Sequence, residues 1–477
     1  MAGQYDELLL LCGYEQEEID EERGRIDETF RRLGLGDSDY KNGIERVNKY
    51  YQVEMLGVRK LLGAYLKELT DVILAGDEGK KCIYFGFPAM LGPALILKAA
   101  AGDKLMAVAP DVIIAHTMGL IFDKHYPIIQ AGEQNGLPPG HALCSLWQIK
   151  IGGLAMGIIP PPDFNFSSGY FCDMSAIGDS LVRAKYGTPA GIIDSCMDGR
   201  LDEYPNIRPE RVKFLGQQIK DAMDMAQEVL DIKVEEEHFE KGLNSTWNYR
   251  KLCAELCDVM NSDPVPLSMT AVDLIEAIPA CSSGRGVREA AKALEILIPE
   301  LKEKVARGEG IAPKGAPRIM LLHGNMADPR MTLMTEDAGL ACPMTYIMAW
   351  NGGIKIDVKQ DYGNPYDNMA EVEFALSMPF GGDATAKVWA KAVKLTHLDG
   401  LIMKHLHHCR PATSGYRIAK DHLEDLTGIP VLDMDEDLCD NRVYGPAYMK
   451  TKLETFAEML RARKKWQTIE DDWTYVD

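Results

Sequence analysis

The sequence predicts an α/β protein with two Rossmann-like parallel-sheet domains, an N-terminal helical region and a helical layer between the two domains. Three observations lead to this fold class. Short apolar runs such as KCIYFG (81–86) and AGIIDS (190–195) alternate with helical stretches. A second series of the same kind begins at RIMLLHG (318–324). The connections in both series are short, and strands that alternate with helices in this way pair in parallel.

This pattern divides the chain into four segments. Residues 1–78 carry many charges with spaced apolar positions, which predicts the N-terminal helical region. Residues 79–232 form the first α/β domain, and residues 313–477 form the second, which closes with an amphipathic helix. Residues 233–312 are charged, helical and poor in strand signals, so we expect the helical layer there. The stretch APKGAP (312–317) is a linker into the second domain.

Composition narrows the class of protein and its compartment. The chain has 477 residues, of which 46% are hydrophobic and 26% charged, so it can bury a large core. Its net charge of −20 disfavours a nucleic-acid partner, since such proteins show a basic surface. We find neither a signal peptide nor an apolar stretch of the roughly 18 residues that a membrane helix needs. We therefore expect a cytoplasmic protein, in which the 11 cysteines do not form a disulfide framework.

The stretch LDGLIMKHLHHCRPATSG (398–415) has the pattern of a buried strand followed by a polar loop. Cys409 lies between the carboxyl end of this strand and the next helix, which is where open α/β sheets bind ligands. The same loop contains three histidines, His405, His407 and His408. A histidine in such a loop either supplies protons to a bound reactant or contributes ordinary surface polarity.

Two further cysteines have the same local setting as Cys409. Cys144 precedes the predicted helix SLWQIKIGGLAMG, and Cys172 precedes MSAIGDSLVRAKYG. A helix N-terminus lowers the pKa of a thiol and offers backbone N–H donors to an anion. Two of these cysteines belong to the first α/β domain and one to the second, so we expect them to meet in the cleft between domains. They are either three ligands of an iron–sulfur cluster or free thiols packed as small hydrophobes.

The other cysteines are predicted to be structural thiols. Cys253 and Cys257 lie one helical turn apart in CAELC, a spacing that suits either a metal or the core, and we predict the core. Cys196 and Cys439 also follow predicted strands, as a cluster ligand would. The remaining members of this group are Cys12, Cys82, Cys281 and Cys342.

Several blocks together resemble a known family. They are ALCSLWQIKIGGLAMG (142–157), FSSGYFCDMSAIGDSLVRAKYGTPAGIIDS (166–195), APKGAPRIMLLHG (312–324), GLIMKHLHHCRPATSG (400–415) and LTGIPVLDMDEDLCDNRVYGPAYMKTKLETFAEML (426–460). In this order they are similar to the 2-hydroxyacyl-CoA dehydratase and benzoyl-CoA reductase subunits, including the D-component of 2-hydroxyglutaryl-CoA dehydratase. The similarity extends over roughly residues 80–463.

The resemblance implies a [4Fe–4S] cluster held by Cys144, Cys172 and Cys409, with one iron left open for substrate. It implies a heterodimer with a related sister subunit, an ATP-hydrolysing iron–sulfur activator protein that donates single electrons, and an acyl-CoA substrate. The reaction would be a 2-hydroxyacyl-CoA dehydration through a ketyl radical, which is lyase chemistry, or an aromatic acyl-CoA reduction, which is oxidoreductase chemistry. Both belong to anaerobic metabolism, and a flavin elsewhere in the complex is compatible with them.

The sequence also departs from the family. Family chains often carry a serine-rich loop after the first strand, whereas GFPAMLGP (86–93) has no hydroxyl, so no active-site serine is transferred. The histidine run before Cys409 is a second departure, and we predict His407 and His408 as the catalytic proton donors. No GxxxxGK[ST] or GxGxxG motif suggests ATP hydrolysis or dinucleotide binding by this chain.

These departures leave three alternatives to the leading hypothesis. In the first, the chain is a homodimeric reductase of small molecules with a double-cubane cluster. In the second, it is a non-catalytic electron-relay partner of a catalytic sister chain. In the third, it is a scaffolding protein that has kept the fold and lost the chemistry.

Overall fold

The structure is a computed structural model that describes residues 5–86, 91–140, 143–169, 172–194, 203–204, 206–321, 324–348, 361–375, 381–443 and 445–473.

The chain begins with four helices that precede the first strand, as predicted. The last of them, α4, is buried along most of its length because apolar residues occupy several of its faces. Charged residues of the second helix form ion pairs with it, including Lys67 with Glu18 at 2.6 Å. The four helices are α1 Asp6–Leu11, α2 Gln16–Arg32, α3 Asp37–Tyr50 and α4 Leu56–Leu74.

The first sheet has four parallel strands in the order β2-β1-β3-β4. Ile83 of β1 pairs with Phe164 of β3, and these apolar strands are covered by helices on both faces, as parallel sheets require. The strands are β1 Lys81–Phe85, β2 Leu105–Val108, β3 Phe164–Ser168 and β4 Ala190–Ile193. The helices are α5 Leu91–Ala101, α6 Pro110–Ile114 with a π-helical continuation Ala115–Ile121, α7 Tyr126–Gln134, α8 Ser145–Ala155, α9 Asp173–Tyr186 and α10 Pro209–Leu230.

A helical layer follows the first sheet. Its third helix, α13, is buried on nearly every side and packs against helices associated with both sheets. Its fourth helix, α14, packs along α4, where Gly57 allows α4 to approach Leu297 closely. The layer consists of α11 Glu236–Asn244, α12 Trp247–Met260, α13 Met269–Cys281 and α14 Arg285–Ala306.

The second sheet repeats the connectivity of the first, with the parallel order β6-β5-β7-β8. Its strands are β5 Arg318–Leu321, β6 Ala341–Thr345, β7 Gly400–Leu406 and β8 Val431–Glu436. Its helices are α15 Pro329–Asp337, α16 Tyr346–Met348, α17 Pro365–Ala375, α18 Gly382–Thr396, α19 Arg410–Thr413, α20 Tyr416–Thr427 and α21 Pro446–Trp473. The predicted fold class, two parallel-sheet domains with helical segments before and between them, is confirmed.

One strand differs from its prediction. The sequence pattern predicts a strand over residues 344–350, whereas β6 covers Ala341–Thr345, helix α16 follows it directly, and residues 349–350 lie outside the described ranges. Pro343 lies inside the observed strand, and a proline argues against a central strand. Because β6 is the edge strand of its sheet, it accommodates the proline, which cannot donate a ladder hydrogen bond.

The exact domain bounds, residues 1–78, 79–232, 233–312 and 313–477, stay predictions. Within the ranges described above, no helix combines the length and the apolar character that crossing a bilayer requires.

Candidate functional site

Each of the three predicted cluster cysteines lies directly before a helix. Cys144 is the N-cap residue of α8, Cys172 that of α9, and Cys409 that of the short helix α19. Cys172 follows β3 and Cys409 follows β7, which are equivalent strands of the two sheets. The repeated topology therefore places one thiol at the same sheet edge in each domain, at the carboxyl ends of the strands where α/β proteins bind ligands.

The three cysteines also differ from the other cysteines in exposure. Ten cysteines fall within the described residues, and Cys144, Cys172 and Cys409 are the three that are partly exposed. The other seven, Cys12, Cys82, Cys253, Cys257, Cys281, Cys342 and Cys439, are buried, which agrees with their interpretation as structural thiols. Cys196 lies outside the described residues.

The Cys144 thiol is influenced electrostatically by the other two thiols. Burial raises the pKa of Cys144 well above its usual range, and the nearby Cys409 and Cys172 thiols raise it further, because two negative sulfurs repel each other. The Trp147 backbone N–H, at the start of α8, lowers that pKa. Our expectation that a helix N-terminus would leave a lowered thiol pKa is wrong here, since desolvation outweighs the helix.

Burial and helix N–H groups also act in opposite directions on the pKa of Cys172. Burial raises the pKa of its thiol, while the backbone N–H groups of Met174 and Ser175 and the guanidinium of Arg410 lower it. Thiols of this kind are protonated until a positive charge arrives, and a bound metal supplies that charge and deprotonates its thiol ligand.

Close packing between α8 and α9 fixes the two cysteines of the first domain. A Cβ atom on Gly178 of α9 would overlap the Trp147 ring of α8, so glycine permits this approach. On the same helix α8, the Nζ atom of the buried Lys150 lies 3.7 Å from Asp111 Oδ1. Lys150 also lowers the pKa of Asp179 on α9, which burial raises to about 6. The helices that begin at the two thiols are thus held together by a glycine contact and a buried ionic cluster.

A pocket of about 440 Å³ opens beside Cys409. The backbone N–H of Cys409 donates to the Leu406 carbonyl at 3.0 Å, and His408 within this turn has a left-handed backbone with φ of 62°. Such a backbone is uncommon for a residue other than glycine. The pocket is lined by His405, Leu406, His407, His408, Cys409, Arg410, Thr413, Ser414 and Asp435. Both predicted catalytic histidines are therefore exposed in the pocket that contains the third thiol.

His405 is a third histidine of this pocket that our prediction did not select. Its Nε2 atom lies 3.3 Å from Asp433 Oδ1, and Lys420 donates to the other oxygen of that carboxylate at 2.7 Å. A carboxylate that orients an imidazole is a common arrangement for proton transfer. The sequence contains no signal for it, because Asp433 belongs to the neighbouring strand β8.

A buried ionic cluster lies at the carboxyl edge of the second sheet. Lys404 of β7 pairs with Glu436 of β8 at 2.8 Å, and their side chains are 7% and 1% exposed. Asp273 and Glu276 of α13 complete the cluster, with Thr332 donating to Asp273 at 3.0 Å and Thr345 donating to Glu276. Burial raises the pKa of both of these carboxyls, and Lys404 opposes the rise.

The ionic cluster around Lys404 predicts how the free energy of unfolding depends on pH. Burial raises the pKa of Asp273 to about 8, whereas an unfolded aspartate titrates near ~3.9. Between these values the folded chain holds a proton that the unfolded chain has lost, so this group lowers the free energy of unfolding as pH rises. Asp273→Asn mimics the protonated acid. Relative to wild type, its free energy of unfolding should rise by up to about 1.4 kcal/mol per pH unit across that window. Denaturant unfolding at several pH values measures this, and parallel pH profiles would contradict it.

Among the described residues, no three His, Cys, Asp or Glu side chains form a group suited to one metal ion. Three thiols that each bind a different iron of a cluster do not need to converge on one point. The partial exposure of the three thiols, the influence of Cys172 and Cys409 on the Cys144 thiol, and the helix N–H groups beside Cys144 and Cys172 fit such a cluster.

Comparisons with known proteins show the family of the chain. A family model for 2-hydroxyglutaryl-CoA dehydratase, D-component, matches residues 100–460, which include all three cysteines. The chain is 24% identical to the (R)-phenyllactyl-CoA dehydratase alpha subunit of Clostridium sporogenes over 68% of this chain and 77% of the relative. It is 22% identical to the alpha subunit of (R)-2-hydroxyglutaryl-CoA dehydratase from Acidaminococcus fermentans over 64% of this chain and 61% of the relative. A benzoyl-CoA reductase subunit of Thauera aromatica is 20% identical over 69% of this chain and 80% of its own length.

Proposed function

Because the chain belongs to the family of the 2-hydroxyglutaryl-CoA dehydratase D-component, we propose that it is the iron–sulfur subunit of a low-potential acyl-CoA enzyme. The enzyme type is that of the 2-hydroxyacyl-CoA dehydratases and benzoyl-CoA reductases. One observation carries the proposal. The three partly exposed cysteines of the described chain come from two domains, lie at helix N-termini, and bring the Cys144 thiol near the thiols of Cys172 and Cys409.

Cys144, Cys172 and Cys409 would hold a [4Fe–4S] cluster, and three protein ligands leave one iron available to a reactant. When bound, that cluster would supply single electrons and a coordination position for an acyl-thioester carbonyl. The pocket beside Cys409 would receive the acyl group, and its volume of about 440 Å³ suits a small acyl chain rather than a whole CoA molecule.

The histidines of the pocket would manage protons. His407 and His408 are exposed at its wall, and His405 is oriented by Asp433. A hydroxide ion leaving an acyl chain needs a proton to depart as water, and a reduced ring needs protons to balance its electrons. Histidine is the side chain best suited to both near neutral pH.

Partners follow from the relatives. Each of them is named as one subunit of a dehydratase or a reductase, which supports assembly of this chain with a sister subunit. We further propose an ATP-hydrolysing activator protein as the electron source and a cytoplasmic location.

Iron analysis tests the proposal. Protein purified and reconstituted without oxygen should contain about four irons and four sulfides per chain and give an EPR signal on reduction. Iron near twice that amount, without acyl-CoA binding, would favour the double-cubane alternative instead. A colourless, iron-free protein after reconstitution would overturn the proposal.

A further inference from the structure

Each of the three cysteines is followed by a residue that contacts the opposite domain. Ser145, after Cys144, donates its hydroxyl to the Asp437 carboxylate that follows β8. The Cys439 backbone N–H donates to Ser145 Oγ at 3.1 Å and to Asp437 Oδ1 at 2.9 Å, and the Asp440 backbone N–H donates to the same Asp437 oxygen at 2.9 Å. Ser145 and Asp437 are both buried. We call this buried contact between Ser145 and Asp437 the pin.

The other two cysteines are joined by an ion pair. Asp173, directly after Cys172, pairs with Arg410, directly after Cys409. Arg410 Nη2 also lies 3.6 Å from the sulfur of Met174, the next residue of α9. The Asp173 and Arg410 side chains are 52% and 55% exposed, so water reaches this contact, whereas the pin is buried. We call this ion pair the latch.

We propose that the latch is the positioning contact that sets the separation of the Cys172 and Cys409 thiols. When the latch breaks, the two domains separate at that point while the pin stays intact. The two contacts differ in strength. The pin carboxylate accepts hydrogen bonds from one hydroxyl and two backbone N–H groups in a buried setting, where such bonds are strong and costly to break. The latch is an exposed ion pair, which contributes little and is screened by salt. Opening therefore begins at the latch.

The position of the latch in the sequence explains why it acts on the thiols. Asp173 and Arg410 are the first residues of α9 and α19, and each is bonded directly to its cysteine. A change in the distance between these two side chains moves both cysteine backbones with it. Arg410 also lowers the pKa of the Cys172 thiol, which places its guanidinium near that sulfur.

The test uses the full chain without a cofactor, so its outcome does not depend on the proposed function. A short bifunctional thiol reagent, dibromobimane, is applied, and the peptide joining Cys172 to Cys409 is quantified by mass spectrometry. Labelling by the monofunctional monobromobimane is measured in parallel, because Arg410 also affects thiol reactivity. The ratio of the two rates reports the separation of the thiols.

We expect Arg410→Gln and Asp173→Asn each to lower that ratio about two- to fivefold, the range for losing an exposed ion pair. The exchanged pair Asp173→Arg/Arg410→Asp should restore most of it. High salt should lower the wild-type ratio toward that of the variants and leave the variants unchanged. Arg417→Gln is the matched control, because it removes an arginine from an exposed pair with Asp421 on the outer helix α20.

Equal ratios in wild type and the two single variants, or a failure of the exchanged pair to restore the ratio, would overturn the inference. A fall of the same size in Arg417→Gln would do so as well. Iron analysis of the same preparations separates the two proposals. A wild-type chain that responds as expected but binds no iron would leave the latch standing and remove the proposed function.

Discussion

Replacing Cys409 by alanine is expected to reduce the iron content of reconstituted protein from about four atoms per chain to less than one. The same result is expected for Cys144→Ala and Cys172→Ala. A cluster held by three thiolates loses a third of its protein ligands with each change, and the other seven described cysteines are buried. Iron and sulfide analysis and the visible absorption of each variant, prepared without oxygen, measure the loss.

The control for this prediction is Cys257→Ala. Cys257 is buried on α12, one turn from Cys253, and it tests whether that pair binds the metal instead. It should keep its full iron content even if it loses some stability to a small cavity. Because Cys409 is only partly buried, Cys409→Ala should keep its fold, and circular dichroism checks this. Iron retained in Cys409→Ala and lost in Cys257→Ala would reverse our assignment.

The sequence predicted the positions of the three thiols because they depend on local signals. An apolar strand, a polar loop and a helix start can each be recognised within about a dozen residues, and Cys172 and Cys409 lie between the second and third of these. Fold class and candidate ligands were therefore accessible without any structure. The equivalence of β3 and β7, in contrast, depends on the order of strands in each sheet, which only the structure shows.

The contacts that tie these local elements together were not accessible. Ser145 and Asp437 are 292 residues apart, and although each lies in a family-like block, no sequence pattern pairs one with the other. The orientation of His405 by Asp433 depends on the register of β7 against β8, in which His405 pairs with Asp435. The direction of the thiol pKa shifts was predicted wrongly for the same reason, since the sequence shows the helix start but not how much protein covers the sulfur.

Lys404→Met is expected to give the largest loss of stability, about 3–5 kcal/mol, which is the cost of removing one partner from a buried ion pair. Lys404 pairs with Glu436 and is the cation that lowers the pKa of both Asp273 and Glu276 against the effect of burial. Without it, the buried Glu436 carboxylate keeps the Asn325 amide as a donor at 3.0 Å but loses its countercharge. The shift in the denaturation midpoint measures the loss.

The double variant Lys404→Met/Glu436→Gln shows whether the loss comes from an uncompensated charge or from missing contacts. The introduced glutamine side chain can still accept from Asn325 but carries no charge, and replacing both members of a buried ion pair is often nearly neutral. We expect it to recover more than half of the lost stability. A double variant as unstable as Lys404→Met would show that packing of the lysine stem is what matters. Because Cys409 follows the end of β7 after two residues, we expect Lys404→Met also to lower iron binding and the double variant to restore it, which couples the buried charge balance of the second sheet to the thiol at its edge.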